Sequence, residues 1–468
     1  MNVLYASAEV APFAKTGGLA DVAGSLPKAL TTLGCRVAVL MPFYKCVRGM
    51  GLDARPFKIE EFDFLKHSED GVEYVFLVND RYYDRENLYS EPHGDYADND
   101  MRFSHFSKAI AAFAAQSDFK PDIINLNDWQ TGLVPIYLKL RSSDIKTVFT
   151  IHNIGYQGLF GKDALERIGI PRKFYNIDGI EYYGKISFLK AGIVYATALT
   201  TVSHGYSKEI ITQEFGCGMD GILRTRLADL HGIVNGADYA VWDPSIDKHI
   251  KINYTAESID KKDECKKDLI KVAGLPDEVR SRPLIGVISR LAEQKGIDLL
   301  VDAAEDIIDL GASMIILGTG DEKYNDLCRR IANAHPQYIA SHVRFDNELA
   351  HKIEAGSDMF AMPSRYEPCG LNQLYSFKYG TLPVVRATGG LEDTIIDLCA
   401  DREKGNGIKF YNATKADLVD AIGRAIELYK DKAAWKTIQK RIMGLDFSWK
   451  ASALHYKELY EKLDGTRH

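Results

Sequence analysis

In this 468-residue sequence, one carboxylate well suited to chemistry is that of Glu367, which lies in a predicted turn near Gly370. The stretch 363–380 reads PSRYEPCGLNQLYSFKYG, and it follows a short apolar segment, MFAM at 359–362, of the kind found in buried parallel strands. Pro368 disfavours a helical conformation at Glu367, while Gly370 frees the backbone to begin the next helix. Unpaired N–H groups at a helix start suit a phosphate. The stretch therefore predicts an anion-binding turn beside a carboxylate, although a surface glutamate before an ordinary helix would give the same short pattern.

Two further turns in the C-terminal half carry groups that suit a diphosphate. In the segment SRLAEQKGIDLL, Arg290 and Lys295 flank the start of a predicted helix. A guanidinium and an ammonium beside free N–H groups are a good counter-charge for phosphates. A TGG turn at 388–390 follows a later predicted strand. Because ligands of parallel α/β sheets bind beyond the carboxyl ends of the strands, we expect these turns and Glu367 to lie at one edge.

A related turn opens the N-terminal half. The segment Asn2–Ser7 predicts a buried strand and Leu19–Leu33 predicts a helix. Between them, Lys15 precedes Gly17 and Gly18, which would let backbone N–H groups approach an anion closely. The spacing fits neither the phosphate-binding G-K-[ST] pattern nor the dinucleotide G-x-G-x-x-G pattern. Taken alone, K-T-G-G is a turn with a solvated lysine.

Polar residues also end several predicted strands of the N-terminal half. Asp, Asn, His and Gln side chains hydrogen-bond sugar hydroxyls, and an aromatic ring can cover an apolar face of a sugar or simply wall the pocket. The strand-end residues are Asn127, Asp128, Trp129, Gln130, His152, Asn153, Gly155, Gln157, Gly158, Ser203 and His204. Each histidine could instead be an ordinary buried residue, and only their shared position at strand ends favours a site for a hydroxyl-rich ligand.

Composition excludes several classes of protein. Apolar residues make up 46% and charged residues 26% of the chain, as in ordinary globular proteins, and no window holds the roughly 18 uncharged apolar residues of a membrane span. The formal net charge of −7 and the lack of a basic stripe argue against nucleic acid as a partner. The seven cysteines are scattered, without a C-x-x-C pair, so neither a disulfide framework nor a zinc site is indicated. With no export signal in the sequence, we expect a cytoplasmic protein.

Alternation of strand-like and helical segments predicts two doubly wound α/β domains. We place the first at 1–242 and the second at 243–446, and we expect a final helix at 447–468 to pack back onto the first domain. The predicted strands after the first are Arg36–Met41, Tyr74–Val78, Ile123–Leu126, Thr147–Ile151, Ala198–Val202, Pro283–Ile288, Met314–Leu317, His342–Phe345, Asp358–Met362 and Leu382–Val385. Within the first helix, Pro27 is expected to cause a kink or to mark a shorter first segment.

A long polar segment, Asn79–Phe103, contains a D-x-D sequence at Asp98–Asn99–Asp100. Paired carboxylates of this kind can hold Mg²⁺ or Mn²⁺ on a diphosphate. Because the pair falls outside any apolar strand, we interpret the segment as a mobile loop that could cover a cleft, with metal binding as the weaker alternative.

Taken together and in this order, the motifs closely resemble those of bacterial glycogen synthases and plant starch synthases. They are KTGGLAD from Lys15, NDWQT from Asn127, HNIGYQG from His152, SHGY from Ser203, GIVNG from Gly232, SRLAEQKG from Ser289, EPCGLNQLY from Glu367 and TGGLEDT from Thr388. The resemblance implies a GT-B fold, with two Rossmann-like doubly wound domains facing across a deep cleft. It also implies a retaining transferase that adds glucose from ADP-glucose to the non-reducing end of an α-1,4-glucan such as glycogen or a maltooligosaccharide, without a metal or other cofactor.

The same resemblance implies roles for individual residues. In the reaction itself, His152 would lie beside the anomeric centre, Glu367 would bind the transferred glucose, Arg290 and Lys295 would neutralise the diphosphate, and Asp128 would orient the sugar or the acceptor. Phe345 would stack on the adenine. The residues implied to bind the donor are Lys15, Gly17, Gly18, Asn153, Phe345, Cys369, Gly370, Leu371, Thr388, Gly389 and Gly390. Those implied to face the acceptor or line the cleft are Asp21, Tyr96, Trp129 and Gln157.

Two other functions stay open at the level of sequence. One is a retaining GT-B transferase that uses a UDP- or GDP-sugar on a small acceptor or a lipid. The other is a non-enzymic protein that binds or senses glucan on the same architecture. Donor competition separates the first from a glycogen synthase, and release of ADP from ADP-glucose separates the second.

Overall fold

The computed structural model describes residues 1–91 and 94–465, and it divides the chain into two compact units. The first unit comprises Met1–Gly236 together with Trp449–His468, and the second comprises Ala237–Ser448. These borders lie six residues before and two residues after the predicted borders at 242 and 446. The predicted segments 79–103 and 447–468 each include a few residues outside the described part. Within the described residues, no helix is both long and apolar enough to cross a membrane.

The first unit is built on a nine-stranded sheet with the order β14-β13-β9-β8-β1-β2-β5-β4-β3. Its pairs are parallel except β4–β5 and β3–β4 at one edge, which are antiparallel. The strands of this unit are β1 Asn2–Ala6, β2 Arg36–Pro42, β3 Arg55–Ile59, β4 Phe62–Glu69, β5 Val72–Val78, β6 Ser90–Glu91, β7 Gly94–Asp95, β8 Ile123–Asn127, β9 Lys146–Ile151, β10 Leu159–Gly161, β11 Glu181–Tyr182, β12 Lys185–Ser187, β13 Ala198–Thr201 and β14 Leu230–Gly232. The central strand β1 is buried from Val3 to Ala6, because both faces of the sheet are covered.

Helices cover the sheet of the first unit. They are α1 Gly18–Thr32, α2 Lys45–Arg48, α3 Asp80–Tyr83, α4 Asn99–Gln116, α5 Val134–Leu140, α6 Ala164–Ile168, α7 Phe188–Tyr195, α8 His204–Glu209 and α9 Asp220–Thr225. Pro27 does not end α1, which continues to Thr32 with Pro27 buried. The prediction of a loop throughout 79–103 is wrong, because α3 and the start of α4 both fall within that segment.

The second unit contains a six-stranded, wholly parallel sheet with the order β17-β16-β15-β18-β19-β20. Its strands are β15 Leu284–Ile288, β16 Ser313–Gly318, β17 Ile339–Val343, β18 Met359–Met362, β19 Leu382–Arg386 and β20 Ile408–Phe410. Its helices are α10 Lys262–Ala273, α11 Ile297–Asp302, α12 Ala304–Asp309, α13 Glu322–Ala334, α14 Asn347–Gly356, α15 Asn372–Tyr379, α16 Gly389–Thr394, α17 Lys415–Lys430 and α18 Lys432–Met443. The predicted strand His342–Phe345 is wrong in position, because β17 ends at Val343 and Phe345 lies beyond it.

The last helix, α19 (Trp449–Asp464), belongs to the first unit. The Tyr460 hydroxyl donates to Asn125 Oδ1 at 2.9 Å, and Lys457 Nζ donates to the carbonyl of Leu33 at 2.9 Å. These bonds tie α19 to β8 and to the end of α1. The final helix therefore packs on the N-terminal domain, as we expected from the sequence.

Among the parallel strands of each sheet there is a point at which the chain changes the side on which it adds strands. In the first unit that point lies between β1 and β8, and in the second it lies between β15 and β18. Ligands of open α/β sheets bind in the crevice beyond the carboxyl ends of the strands at such a point. The loops after these four strands are therefore the first places to look for a site.

Candidate functional site

The loops after β15 and β18 bring Lys295 and Glu367 into direct contact. Lys295 Nζ lies 2.7 Å from Oε1 and 2.6 Å from Oε2 of Glu367. The Ser364 hydroxyl also donates to Oε2, at 2.9 Å. The Glu367 side chain is 6% exposed and that of Lys295 is 21% exposed, so the ammonium faces the outside of a buried carboxylate. Sequence alone predicted both residues as part of one site, and the second unit places them together.

Backbone hydrogen bonds hold these two loops against each other. The N–H of Arg365 donates to the carbonyl of Gln294 at 2.8 Å, and Gln294 Nε2 donates to the carbonyl of Tyr366 at 3.2 Å. Gly296, just after Lys295, has φ +66°, and a Cβ there would lie 2.1 Å from the carbonyl oxygen of Pro363. Only glycine permits this close approach, so the pairing of Lys295 with Glu367 rests on the backbone as well as on the charges.

The predicted TGG turn packs onto the same loop. The N–H of Gly390 donates to the carbonyl of Glu367 at 3.0 Å, and a Cβ on Gly390 would lie 2.2 Å from the carbonyl oxygen of Cys369. Gly370 has φ +73°, in the left-handed region that favours glycine. The predicted donor-binding segments from Cys369 to Leu371 and from Thr388 to Gly390 thus pack against each other beside Glu367.

Arg290 and Phe345 are the exposed members of the predicted set in the second unit. Arg290 Nη2 donates to Gln294 Oε1 at 3.0 Å, which places the guanidinium on the same loop as Lys295. Phe345 follows β17 and is 79% exposed. An aromatic ring left open to solvent to this extent is available to stack on a ligand.

In the first unit, Asp128 and His152 lie next to each other beyond β8 and β9. Asp128 has φ 54° and ψ −176°, an unusual conformation for a residue with a side chain, and its Oδ1 accepts from the N–H of His152 at 2.8 Å. Strained backbone of this kind is concentrated at functional sites. Burial raises the pKa of Asp128 to about 7; the N–H groups of His152 and Asn153 oppose that rise, whereas the Glu9 carboxylate adds to it.

The protonation of His152 follows from its partner Asn127. Asn127 Nδ2 donates to the carbonyl of Ala6 at 2.9 Å, so Asn127 Oδ1 is the acceptor 2.8 Å from His152 Nε2. This network assigns the proton to Nε2 and leaves Nδ1 without one. Burial lowers the pKa of His152 to about 3, so the ring is neutral near pH 7.

The K-T-G-G turn is held by a residue outside it that sequence reasoning missed. The predicted anion-binding N–H groups here are occupied by the chain's own Glu9: Oε2 accepts from the N–H of Thr16 at 2.5 Å and from that of Gly17 at 3.2 Å. Lys15 Nζ points elsewhere and bonds Asp21 Oδ1 at 2.7 Å. A carboxylate three positions before Pro12, in an otherwise apolar stretch after β1, was the one signal that could have identified Glu9.

The remaining predicted residues of the first unit support its loops in this structure. Asn153 Oδ1 accepts from the N–H of Gly155 at 2.9 Å, and Gln157 Nε2 donates to the carbonyl of Cys217 at 2.8 Å. Trp129 packs edge-on against Phe103, with 4.9 Å between ring centroids. The implied cleft contacts of these residues stay predictions.

Tyr96 is largely buried, at 9% exposure, between two guanidinium groups. Arg85 and Arg102 lie 4.6 and 4.9 Å from its ring centroid. Such cation–π contacts fix the ring as a packing element. A role for Tyr96 in a cleft stays a prediction.

The D-x-D carboxylates pair with arginines. Arg85 donates to both oxygens of Asp98, at 2.8 and 2.6 Å, and Arg167 Nη2 donates to Asp100 Oδ2 at 2.7 Å. In the described part of the chain, no group of three or more His, Cys, Asp or Glu side chains is arranged to hold a metal ion. These contacts give Asp98 and Asp100 a structural role at the start of α4.

Comparison with known families assigns both units. Residues 2–225 match the starch synthase catalytic domain, and residues 276–441 match the group 1 glycosyl transferases. The chain is 43% identical over 486 residues to a glycogen synthase of Koribacter versatilis, covering 100% of this chain and 99% of that protein. A glycogen synthase of Thermosipho melanesiensis is 44% identical over 486 residues, with both chains fully covered. The chain belongs to the glycogen and starch synthase family.

Solved structures of this family and of related transferases have the same architecture. The catalytic domain of starch synthase IV from Arabidopsis thaliana, bound to ADP and acarbose, superposes with a TM-score of 0.91 at 32% identity, covering 99% of each chain. Sucrose-phosphate synthase from Thermosynechococcus elongatus, at 16% identity and a TM-score of 0.63, shares the fold. The predicted GT-B fold is confirmed, and the chain is a glucosyltransferase of the glycogen and starch synthase family.

Proposed function

We propose that this synthase transfers glucose from ADP-glucose to the non-reducing end of an α-1,4-glucan, with retention of anomeric configuration. The observation that carries the proposal is the Lys295–Glu367 pair beside Arg290, at the switch point of the second unit's sheet. A family member bound to ADP and acarbose supports the choice of nucleotide and of glucan. Glycogen or a maltooligosaccharide is the acceptor that we expect.

Cleavage of a nucleotide sugar places negative charge on the leaving diphosphate while positive charge grows on the sugar. Groups already oriented toward these charges stabilise the transition state most. Lys295 has three N–H bonds and uses two of them on Glu367, so one is left for a phosphate oxygen. We assign Lys295 and Arg290 to the diphosphate, and the backbone around Cys369 to Leu371 to the glucose hydroxyls or the phosphate.

Glu367 is assigned the role of orienting the transferred glucose. Its two oxygens are already bonded to Lys295 and Ser364, which fixes the carboxylate and lowers its value as a nucleophile. The acceptor hydroxyl then attacks from the face that the diphosphate leaves, and the leaving phosphate takes the proton of that hydroxyl. A glucosyl adduct trapped on Glu367 would contradict this mechanism.

His152 is assigned to the same reaction on the basis of the family resemblance. The neutral ring and the backbone carbonyl of His152 can both face a developing oxocarbenium without adding positive charge. Asp128 holds the His152 N–H and thereby the orientation of that residue. Lys15 is assigned to the donor.

The deciding experiment offers the purified chain glycogen and labelled ADP-glucose, UDP-glucose or GDP-glucose, each with and without EDTA. We expect incorporation from ADP-glucose, retention of the α-anomer in the product, and no effect of EDTA. Preference for a UDP- or GDP-sugar would instead support a different transferase. Saturable glucan binding without release of ADP would contradict an enzymic role.

We also propose a cytoplasmic location, supported by the seven cysteines, all of which are free thiols. Fractionation of the native cells with an antibody to the chain tests this proposal. Recovery with the membrane or external fraction would contradict it.

A further inference from the structure

Glu9 gathers hydrogen bonds from the turn that carries Lys15. Oε2 accepts from the N–H groups of Thr16 and Gly17, at 2.5 and 3.2 Å, and Oε1 accepts from the Thr16 hydroxyl at 2.7 Å. The Tyr89 hydroxyl donates to the same Oε1, at 2.7 Å. Four donors converge on one carboxylate that is only 4% exposed.

Glu9 lies where these bonds can also control the position of Lys15. Glu9 follows β1 at the switch point of the first sheet, and Thr16 is the residue next to Lys15. Lys15, Thr16 and Tyr89 all line a cavity of about 530 Å³. The backbone on which the Lys15 side chain stands is therefore fixed by Glu9 at the wall of this cavity.

Tyr89 connects the same carboxylate to a third part of the unit. Its carbonyl accepts from the N–H of Tyr96 at 3.0 Å and from Asn99 Nδ2 at 3.0 Å. Glu9 thus joins the end of β1, the Lys15 turn and the segment that leads into α4. Hydrogen bonds to a charged acceptor in a buried site are stronger than those between neutral groups, so this junction is rigid.

We propose that Glu9 is the positioning residue for Lys15. Its carboxylate fixes the K-T-G-G backbone, so that the Lys15 ammonium is correctly placed to contact the nucleotide sugar. The inference rests on the proposed function insofar as Lys15 acts on the nucleotide sugar. Glu9 itself does not touch substrate, because its oxygens are occupied by the four protein donors.

The test compares Glu9→Met with Glu9→Gln. Methionine has a similar shape and accepts none of the four bonds. Glutamine keeps an oxygen for the two N–H groups, and its amide can donate to the two hydroxyl oxygens. We expect Glu9→Met to lower kcat/KM for ADP-glucose about tenfold to a hundredfold, mainly through KM, and Glu9→Gln to stay within about threefold of the wild type.

A double variant shows whether Glu9 acts through Lys15. If it does, Glu9→Met combined with Lys15→Ala is no less active than Lys15→Ala alone. Glu73→Met is the matched control, because Glu73 also gathers bonds from two side chains but lies near the amino end of β5. We expect this control to keep its KM for ADP-glucose.

Three results would overturn the inference. They are multiplicative losses in the double variant, a Glu9→Gln variant as inactive as Glu9→Met, or a Glu9→Met variant equal to its control. If Glu9→Met does not fold, Thr16→Val and Tyr89→Phe remove one bond each, and an unchanged KM in both would also overturn it. Failure of the proposed function is distinct, since the wild type would then incorporate no glucose from ADP-glucose.

Discussion

The two sheets place a glutamate, a lysine and a glycine beside their switch points but connect them differently. In the second unit Glu367 bonds the ammonium of Lys295 itself, in a pair that is 6% and 21% exposed. In the first unit Glu9 bonds backbone N–H groups, and Lys15 pairs with Asp21 at 44% and 29% exposure. The second unit therefore has a preformed charge pair, whereas the first unit has a fixed backbone that carries a more exposed cation. A single lysine deletion should therefore have unequal effects in the two units.

The largest difference is expected between Lys295→Ala and Lys15→Ala. Loss of one preorganised charge contact costs about 3 kcal/mol of transition-state stabilisation, so Lys295→Ala should lower kcat by about two orders of magnitude or more. Lys15→Ala should cost less, because Lys15 is exposed and shares its charge with Asp21. Steady-state kinetics with ADP-glucose and glycogen measures both.

Lys436→Ala is the control for these two variants, since Lys436 pairs with Asp260 at the surface, where such pairs contribute little. Its kcat should equal that of the wild type. Equal losses for Lys15→Ala and Lys295→Ala would remove the distinction between the two loops.

The next comparison concerns the glycines beside the two lysines. A Cβ on Gly296 would lie 2.1 Å from a backbone oxygen at φ +66°, whereas Gly17 has an extended backbone and no atom within 4 Å of an added Cβ. We expect Gly296→Ala to lower the free energy of unfolding by about 3 kcal/mol, from backbone strain plus the clash. Gly17→Ala should change it by less than about 0.5 kcal/mol. Thermal denaturation of both variants distinguishes a constrained loop from an open one, and similar Tm values would refute the difference.

The third prediction concerns the pH dependence of stability, which should reflect the buried Asp128 carboxyl of the first unit. The pKa of Asp128 is raised to about 7, so the folded state binds a proton that the unfolded state has lost. Stability from this group is therefore present at low pH and is lost as pH rises toward and through 7. Between pH 5.5 and 8 the loss amounts to about 2 kcal/mol for a group with this shift.

Asp128→Asn removes this proton linkage. The stability of the variant relative to the wild type should therefore rise by about 2 kcal/mol from pH 5.5 to pH 8, in urea titrations at both values. Asp122→Asn, an exposed aspartate that accepts from the N–H of Asn2, is the control. A pH-independent difference for Asp128→Asn would show that its carboxyl is ionised throughout this range.

Local pattern predicted most of the parallel strands, because a strand buried on both faces is a short apolar run in the sequence. The antiparallel edge was missed: β4 has a half-exposed pattern that resembles a loop, and β3 is mostly exposed. The order of the strands in each sheet could also not be predicted from local sequence patterns. The pairing of β15 with β18 depends on contacts between segments far apart in the chain.

The candidate site was predictable where a residue's own neighbours mark it. Glu367 stands before a proline and a glycine, and Lys295 stands before a glycine at a helix start. Their contact joins positions 72 apart, so the sequence could predict the two members but not the bond between them. Glu9 was missed because its hydroxyl partner Tyr89 is 80 positions away. Arg167 was not foreseen as the partner of Asp100 for the same reason, since 67 positions separate them.

The smallest effect is expected for Phe345, an exposed residue of the second unit that we compare with the more buried Lys295–Glu367 pair. Phe345 is 79% exposed, so Phe345→Ala removes little packing and should leave Tm unchanged. If the ring stacks on the adenine, KM for ADP-glucose should rise by about fivefold to tenfold, the size expected for about 1 kcal/mol of aromatic stacking, with kcat nearly constant. Tyr411→Ala, at 62% exposure in the same unit, is the matched control and should change neither constant. A fall in kcat without a change in KM would contradict this prediction. Phe345 would then act in the transition state, as Lys295 is expected to do, and the two residues would differ only in how buried they are.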